Sequence, residues 1–229
     1  VVELEGQRRR KVSSVRVISL ATAALALWAP EHLWDRNPQD FLSSLELDIV
    51  REHNLVRADP TTYADFLEEL EPHFDGDLFE LPDGRVLKTS EGVKAVEEAI
   101  RFLRDVEPLG SMRPSRGMSL GARDLVQDQG PTGETGHVGS DGGHPWDRVS
   151  RYGEWEGSVA ENVAYGPGEA RDVVMQLIID DGVKDRGHRT NIFDPAFRVV
   201  GVSCGEHARY EMMCVITYAR GYAEGQPPD

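Results

Sequence analysis

Two apolar, β-branched runs near the end of the chain, Val199-Val200-Gly201-Val202-Ser203-Cys204 and Met213-Cys214-Val215-Ile216-Thr217-Tyr218, constrain the fold more than any other feature. Their composition is that of strands, and the stretch Gly205 to Glu211 between them reads as the connection of an antiparallel hairpin. The chain has only two cysteines, Cys204 and Cys214, one in each run. They read as a cross-strand bridge closing about ten residues, worth roughly 2.5 to 3 kcal/mol by chain entropy; the alternative is a pair of reduced, buried thiols. Two cysteines build neither a disulfide scaffold nor a cysteine-rich zinc module, so the core must supply most of the stability. With 229 residues, 39% of them apolar, such a core is within reach.

Charge narrows the possible partners. Forty acidic residues against 25 basic leave a formal charge of -15, the wrong sign for a nucleic-acid partner. The start of the chain departs from this balance: Arg8, Arg9, Arg10, Lys11 and Arg16 outnumber Glu3 and Glu5, so everything after residue 16 carries -18. An uncharged apolar run follows from Val17 to Ala29, and as a helix it would span only about 20 Å of a hydrocarbon core of about 30 Å. With Ala24-Leu25-Ala26 and Leu27-Trp28-Ala29 as alternative cleavage points, residues 1–29 read as a secretory signal peptide cut near 26 or 29. The expected product is secreted or extracytoplasmic, without a transmembrane anchor after processing. Residues 30–40 then read as a linker, 41–220 as one domain and 221–229 as a C-terminal tail.

Helical periodicity begins near Phe41, with Ser43 or Ser44 as cap, Leu45, Ile49, Glu52 and Val56 on one side, and Asp59-Pro60 as stop. A second helix is expected over Thr62 to Leu70. A short hairpin follows around Asp83-Gly84, and then a third helix with Val93, Val96, Ile100 and Leu103 on one face. The segment 59–107 holds 14 acidic and five basic residues, half of the excess charge, and reads as an acidic insertion with solvated faces. Ser119 to Gln129 is expected to be helical up to Gly130-Pro131.

Candidate chemistry is concentrated after residue 130. His137 sits in the glycine-rich stretch Gly133 to Gly142, which leaves its imidazole unshielded; the stretch lacks the Gly-Lys-Ser/Thr ending of a phosphate loop. Glu161 lies in the apolar run Ser158 to Gly166, a strand or a helical turn, and is either a partnered carboxylate or an exposed one. A helix resuming at Glu169, with Val173, Val174, Leu177 and Ile178 as its stripe, would place Asp180 and Asp181 near one face. Arg186-Gly187-His188-Arg189-Thr190-Asn191-Ile192-Phe193 follows. No His-Glu-x-x-His is present.

Taken in order, four motifs resemble those of the CAP superfamily, the cysteine-rich secretory protein, antigen 5 and pathogenesis-related 1 proteins, and its bacterial secreted branch in particular. They are Glu52-His53-Asn54-Leu55-Val56-Arg57, Gly136-His137 with Ser140-Asp141-Gly142, Ala160-Glu161-Asn162-Val163-Ala164, and Gly187-His188-Arg189-Thr190-Asn191-Ile192. The resemblance runs from about Leu45 to Tyr218. It implies an α+β fold, a three-layer α-β-α sandwich with a central antiparallel sheet. It also implies a cavity with two histidines, His137 and His188, and two acids, Glu161 and Asp180 or Asp181, with Asn162 and Asn191 as supporting motif residues. Asp180 is preferred because it lies three residues past Leu177, where the family commonly has tryptophan; aspartate in place of the family's usual glutamate as second acid, and Ala160 for the usual glycine, depart from the family pattern.

Such a tetrad can hold Zn²⁺ or another divalent cation, form a purely structural polar core, or act as general acid and base. The leading expectation is a non-catalytic extracellular binding module taking a cation and a lipid, sterol or peptide, with cell-surface or extracellular proteins as further partners. The rival is a metal-assisted hydrolase of peptide or cell-wall material, with His137 and His188 as ligands and Glu161 as base.

Overall fold

The computed structural model describes residues 40–225. The signal peptide expected at 1–29 and almost all of the linker at 30–40 lie outside the described residues. The final hairpin forms as its composition requires. Strand β6 (Val199–His207) pairs antiparallel with strand β7 (Glu211–Glu224), and Cys204 stands directly opposite Cys214. The two are joined in a disulfide with a Cα–Cα distance of 4.1 Å. Replacing both cysteines by serine is expected to cost about 2.5 to 3 kcal/mol, the closure entropy of so short a loop. Urea unfolding of the variant beside the parent under non-reducing conditions measures it, and equal midpoints would assign the stability of the hairpin to packing alone.

Strand β5 (Gly153–Tyr165) runs antiparallel along the other side of β7, and the two-residue strand β4 (Arg113–Pro114) adds a parallel edge to β6, giving the order β4-β6-β7-β5. Alternation along β7 divides the core. Cys214, Ile216 and Tyr218 face a helical layer that contains Ile49, Val173, Val174 and Ile178, whereas Met213 and Val215 face Ala122, Leu125 and Val126 on the opposite side. The first layer holds helices α1 (Ser44–Ala58), α2 (Pro60–Glu68), α3 (Val93–Asp105) and α6 (Ala170–Ile179); the second holds α4 (Arg116–Gln129) and α5 (Pro145–Ser150). A three-layer α-β-α sandwich results. Helix α4 lies so close to β6 that a Cβ at Gly201 would collide with the backbone of Met118 and Ser119, which is why this strand carries glycine amid valines. Among the described residues no helix is long and apolar enough to cross a membrane.

Local signals set several boundaries. Ser43 caps α1 in a full capping box with Glu46, and α1 stops at Asp59. Helix α2 starts at Pro60 and ends at Glu68, earlier than the expected 62–70, because the Asp59 side chain accepts from the Thr62 amide and proline suits a first turn. The hairpin around Gly84 forms as strands β2 (Leu78–Glu80) and β3 (Val86–Lys88), joined by an edge pair, β1 (Phe74–Asp75). The segment 59–107 is not merely solvated: Tyr63, Leu67, Val96, Ala99 and Leu103 are fully buried in the main core.

Two expectations are corrected. The C-terminal boundary at 220 falls inside β7, whose last residues pair with Gly153 to Glu156. The Glu224 carboxylate accepts from the Ser115 hydroxyl and the Arg116 and Gly117 amides, a negative charge on the first turn of α4. Asp180 and Asp181 also do not share a helix face. Helix α6 ends at Ile179 and Asp180 is left-handed (φ 56°), so the two side chains diverge.

Candidate functional site

Each histidine of the expected tetrad meets one acid. On the first side, Glu161 projects from β5, which resolves its context as a strand, and is buried. Its Oε1 accepts from Nδ1 of His137 at 3.0 Å. Its Oε2 receives the guanidinium of Arg148 at 2.5 Å, in a pair whose side chains are 2% and 1% exposed. Arg148 also donates to the carbonyls of His137 (3.0 Å), Gly143 (2.9 Å) and Gly121 (3.3 Å), tying the glycine-rich loop to α4 and to Glu161. A second tie is the Tyr165 hydroxyl, which accepts from the Gly136 amide at 3.0 Å. The buried His207 donates from Nε2 to the Glu134 carbonyl at 2.8 Å and anchors the same loop to the β6–β7 turn.

On the second side, Asp180 closes α6 and is also buried. Its Oδ1 accepts from Nδ1 of His188 at 2.6 Å, and its Oδ2 accepts from the His188 amide at 2.9 Å, at the start of helix α7 (Gly187–Ile192). Asp181 instead accepts from the amides of Ser90 and Glu91 at 2.6 and 2.8 Å, which makes Asp180 the acid beside His188. The two imidazole rings lie with centroids 6.5 Å apart, and their side chains are 46% and 25% exposed. Each carboxylate accepts from Nδ1–H, the tautomer that leaves a lone pair on Nε2, and no described group bonds either Nε2.

Behind the rings runs a chain of polar groups. Asn191 donates to the Asn162 side-chain carbonyl at 2.8 Å; Asn162 donates to the His188 carbonyl (2.9 Å) and the Tyr218 hydroxyl (3.1 Å). Tyr218 donates to Nε2 of His53 at 2.9 Å, and Nδ1 of His53 donates to the Ile49 carbonyl. The first-helix motif thus reaches the site through hydrogen bonds. Burial lowers the His53 pKa from 6.5 to about 4 and holds the Tyr218 phenol well above its usual value, so both are neutral and the donor order is fixed. Arg57 of the same motif is fully buried and donates to the carbonyls of Gly110, Ile192, Asp194 and Phe197, locking α1 to the segment after α7.

Arg148 is the site residue that sequence reading missed. It lies in a six-residue helix rich in polar residues, where an arginine reads as solvated, and its partners lie 5 to 27 residues away. The one available signal was the need of a buried Glu161 for a cation.

The cysteine-rich secretory protein (CAP) family model matches residues 99–218. Among solved structures, an outer surface protein from Borrelia burgdorferi is similar at 15% identity over 48% of this chain and 78% of its own, with a TM-score of 0.42. An extracellular protein containing an SCP domain from Bacillus anthracis str. Ames is similar at 17% identity over 55% of this chain and 38% of its own, with a TM-score of 0.41. No curated protein matches the chain. The family match spans just over half of the chain and takes in His137, Glu161, Asp180 and His188, and on that match this chain belongs to the cysteine-rich secretory protein, or CAP, family.

Proposed function

We propose that the chain is an exported CAP-domain binding module, not an enzyme, whose paired histidines take a divalent cation such as zinc beside a lipid, sterol or peptide ligand. The observation that carries this reading is the orientation of the two imidazoles. Each is held through Nδ1 by its own buried carboxylate, and each keeps a lone pair on Nε2 for a ligand. Carboxylate-backed imidazoles are the arrangement that metal-binding histidines favour. Among the described residues no three or more of His, Cys, Asp and Glu converge on one point. A cation here would therefore rest on His137 and His188 and draw its other ligands from water or from the bound molecule.

The same bonds count against hydrolysis with Glu161 as base. One of its oxygens is occupied by His137 and the other by a buried guanidinium, so it orients the ring rather than waiting for a substrate proton. The lipid, sterol or peptide ligand is the part of this proposal that the family membership supports. Export is supported by the basic and apolar leader sequence and by the disulfide, which forms in an oxidising compartment.

Calorimetric zinc titration is expected to reveal one site, weakened at least about tenfold by His137→Ala or His188→Ala. Equal heats for parent and both variants would remove the cation. Turnover of casein or peptidoglycan that Glu161→Gln abolishes would overturn the non-catalytic reading.

A further inference from the structure

The loop that presents His188 is held in a conformation that its own residues disfavour. Between α6 and α7 the backbone passes through three positive φ values, at Asp180 (56°), Gly182 (79°) and Arg186 (50°), and two of these residues are not glycine. Such a path persists only when neighbours over-determine it. The neighbours come from the acidic segment, about ninety residues earlier in the chain. Asp181 accepts from the amides of Ser90 and Glu91, and in return Glu91 Oε1 accepts from the Gly182 amide at 2.8 Å. Both oxygens of Glu91 also receive Arg186, at 2.7 and 2.8 Å. Glu98 bridges Arg186 (3.0 Å) and Arg189 (2.8 and 2.9 Å). The two arginines return to the loop: Arg186 donates to the Asp180 and Val183 carbonyls, and Arg189 to those of Ile178 and Ile179.

From this geometry we infer that the acidic segment supports the second histidine–acid pair, with Glu91 and Glu98 as positioning residues that keep the Asp180 carboxylate on His188. Two guanidiniums flank Asp180, one of them 2.7 Å from its own carbonyl oxygen. Glu91 and Glu98 satisfy those charges, and the Asp180 carboxylate stays with the His188 ring instead of turning to an arginine. Removing the two glutamate charges leaves Asp180 as a neighbouring anion for both arginines and frees a loop whose left-handed residues relax towards ordinary backbone. The first pair has a separate support in Arg148, and no described hydrogen bond joins residues 59–107 to His137 or Glu161.

The inference rests on reading the two histidines as a ligand-binding pair, and its test is independent of whether a cation binds. Nitrogen-15 spectra of the histidine rings are recorded on the metal-free full chain, for the parent and for Glu91→Gln/Glu98→Gln. The double variant is expected to lose or shift the His188 Nδ1–H signal while the His137 ring signals stay in place, and its zinc affinity falls about tenfold. Unchanged His188 signals overturn the inference, and so does equal movement of His137, the sign of general loosening. Should the double variant not fold, Glu91→Gln alone, which leaves Glu98 on both arginines, is expected to shift His188 part of the way; a stationary signal there overturns it equally. If the parent binds no zinc, the binding reading fails and the spectra still decide the positioning role.

Discussion

Arg148→Met is expected to lose about 3 to 5 kcal/mol of stability, the largest effect of any single change near the site. The guanidinium is 2% exposed and its Glu161 partner 1%, so the variant leaves a buried carboxylate without its guanidinium and with only the His137 ring bonded to it. Three carbonyls, of Gly121, His137 and Gly143, lose a donor at the same time. Methionine nearly fills the volume, so cavity formation contributes little and the cost is electrostatic. That assignment has its own check. Adding Glu161→Gln removes the unpaired charge, and the double variant is expected to recover part of the loss in urea unfolding. A double variant no more stable than Arg148→Met would place the cost in the three carbonyls and the packing instead.

The second large effect is a loss of stability in mild acid. His53 is fully buried, and desolvation lowers its pKa from 6.5 to about 4. A folded pKa below the unfolded one means that the unfolded chain takes up the proton first. The contribution is therefore complete above about pH 6.5 and disappears as pH falls towards 4. A gap of that size corresponds to about 3 kcal/mol. Protonation would also place a second donor on Nε2, against the Tyr218 hydroxyl that donates to it, and so disturb the hydrogen-bond chain to Asn162 and the His188 carbonyl. Urea midpoints measured between pH 7.5 and 4 are expected to fall more steeply for the parent than for His53→Gln. Parallel curves would show that His53 is not the group that titrates.

How much was legible in advance depended on the range of the interaction. Short-range signals were read well where they are simplest: Ser43 caps α1 through an atom three residues away, Asp59-Pro60 ends it, and Gly84 turns a hairpin beside Asp83, whereas Asp59 as the cap that starts α2 at Pro60 was not read. Asp180 and Asp181 were harder. Helical spacing places them together, and only the left-handed turn at Asp180 separates them, sending one carboxylate to His188 and the other to the Ser90 amide. Arg148, Glu91 and Glu98 were not legible as site residues, since charged side chains on polar helices and loops look alike whether they face water or a buried partner.

The final hairpin was written in the sequence itself. Two β-branched apolar runs with one cysteine in each, ten positions apart, read as an antiparallel hairpin with a cross-strand bridge, and the structure pairs Cys204 with Cys214, because the partners are close in the chain. The motif order likewise carried the family and its fold. Only the tertiary structure decided which acid serves which histidine and what holds each pair. Those choices are made by Arg148 on Glu161 and by Glu91 and Glu98 on the loop after α6. Such contacts form between segments up to about ninety residues apart, where no local pattern of residues constrains the pairing and only packing of the layers brings the charges together.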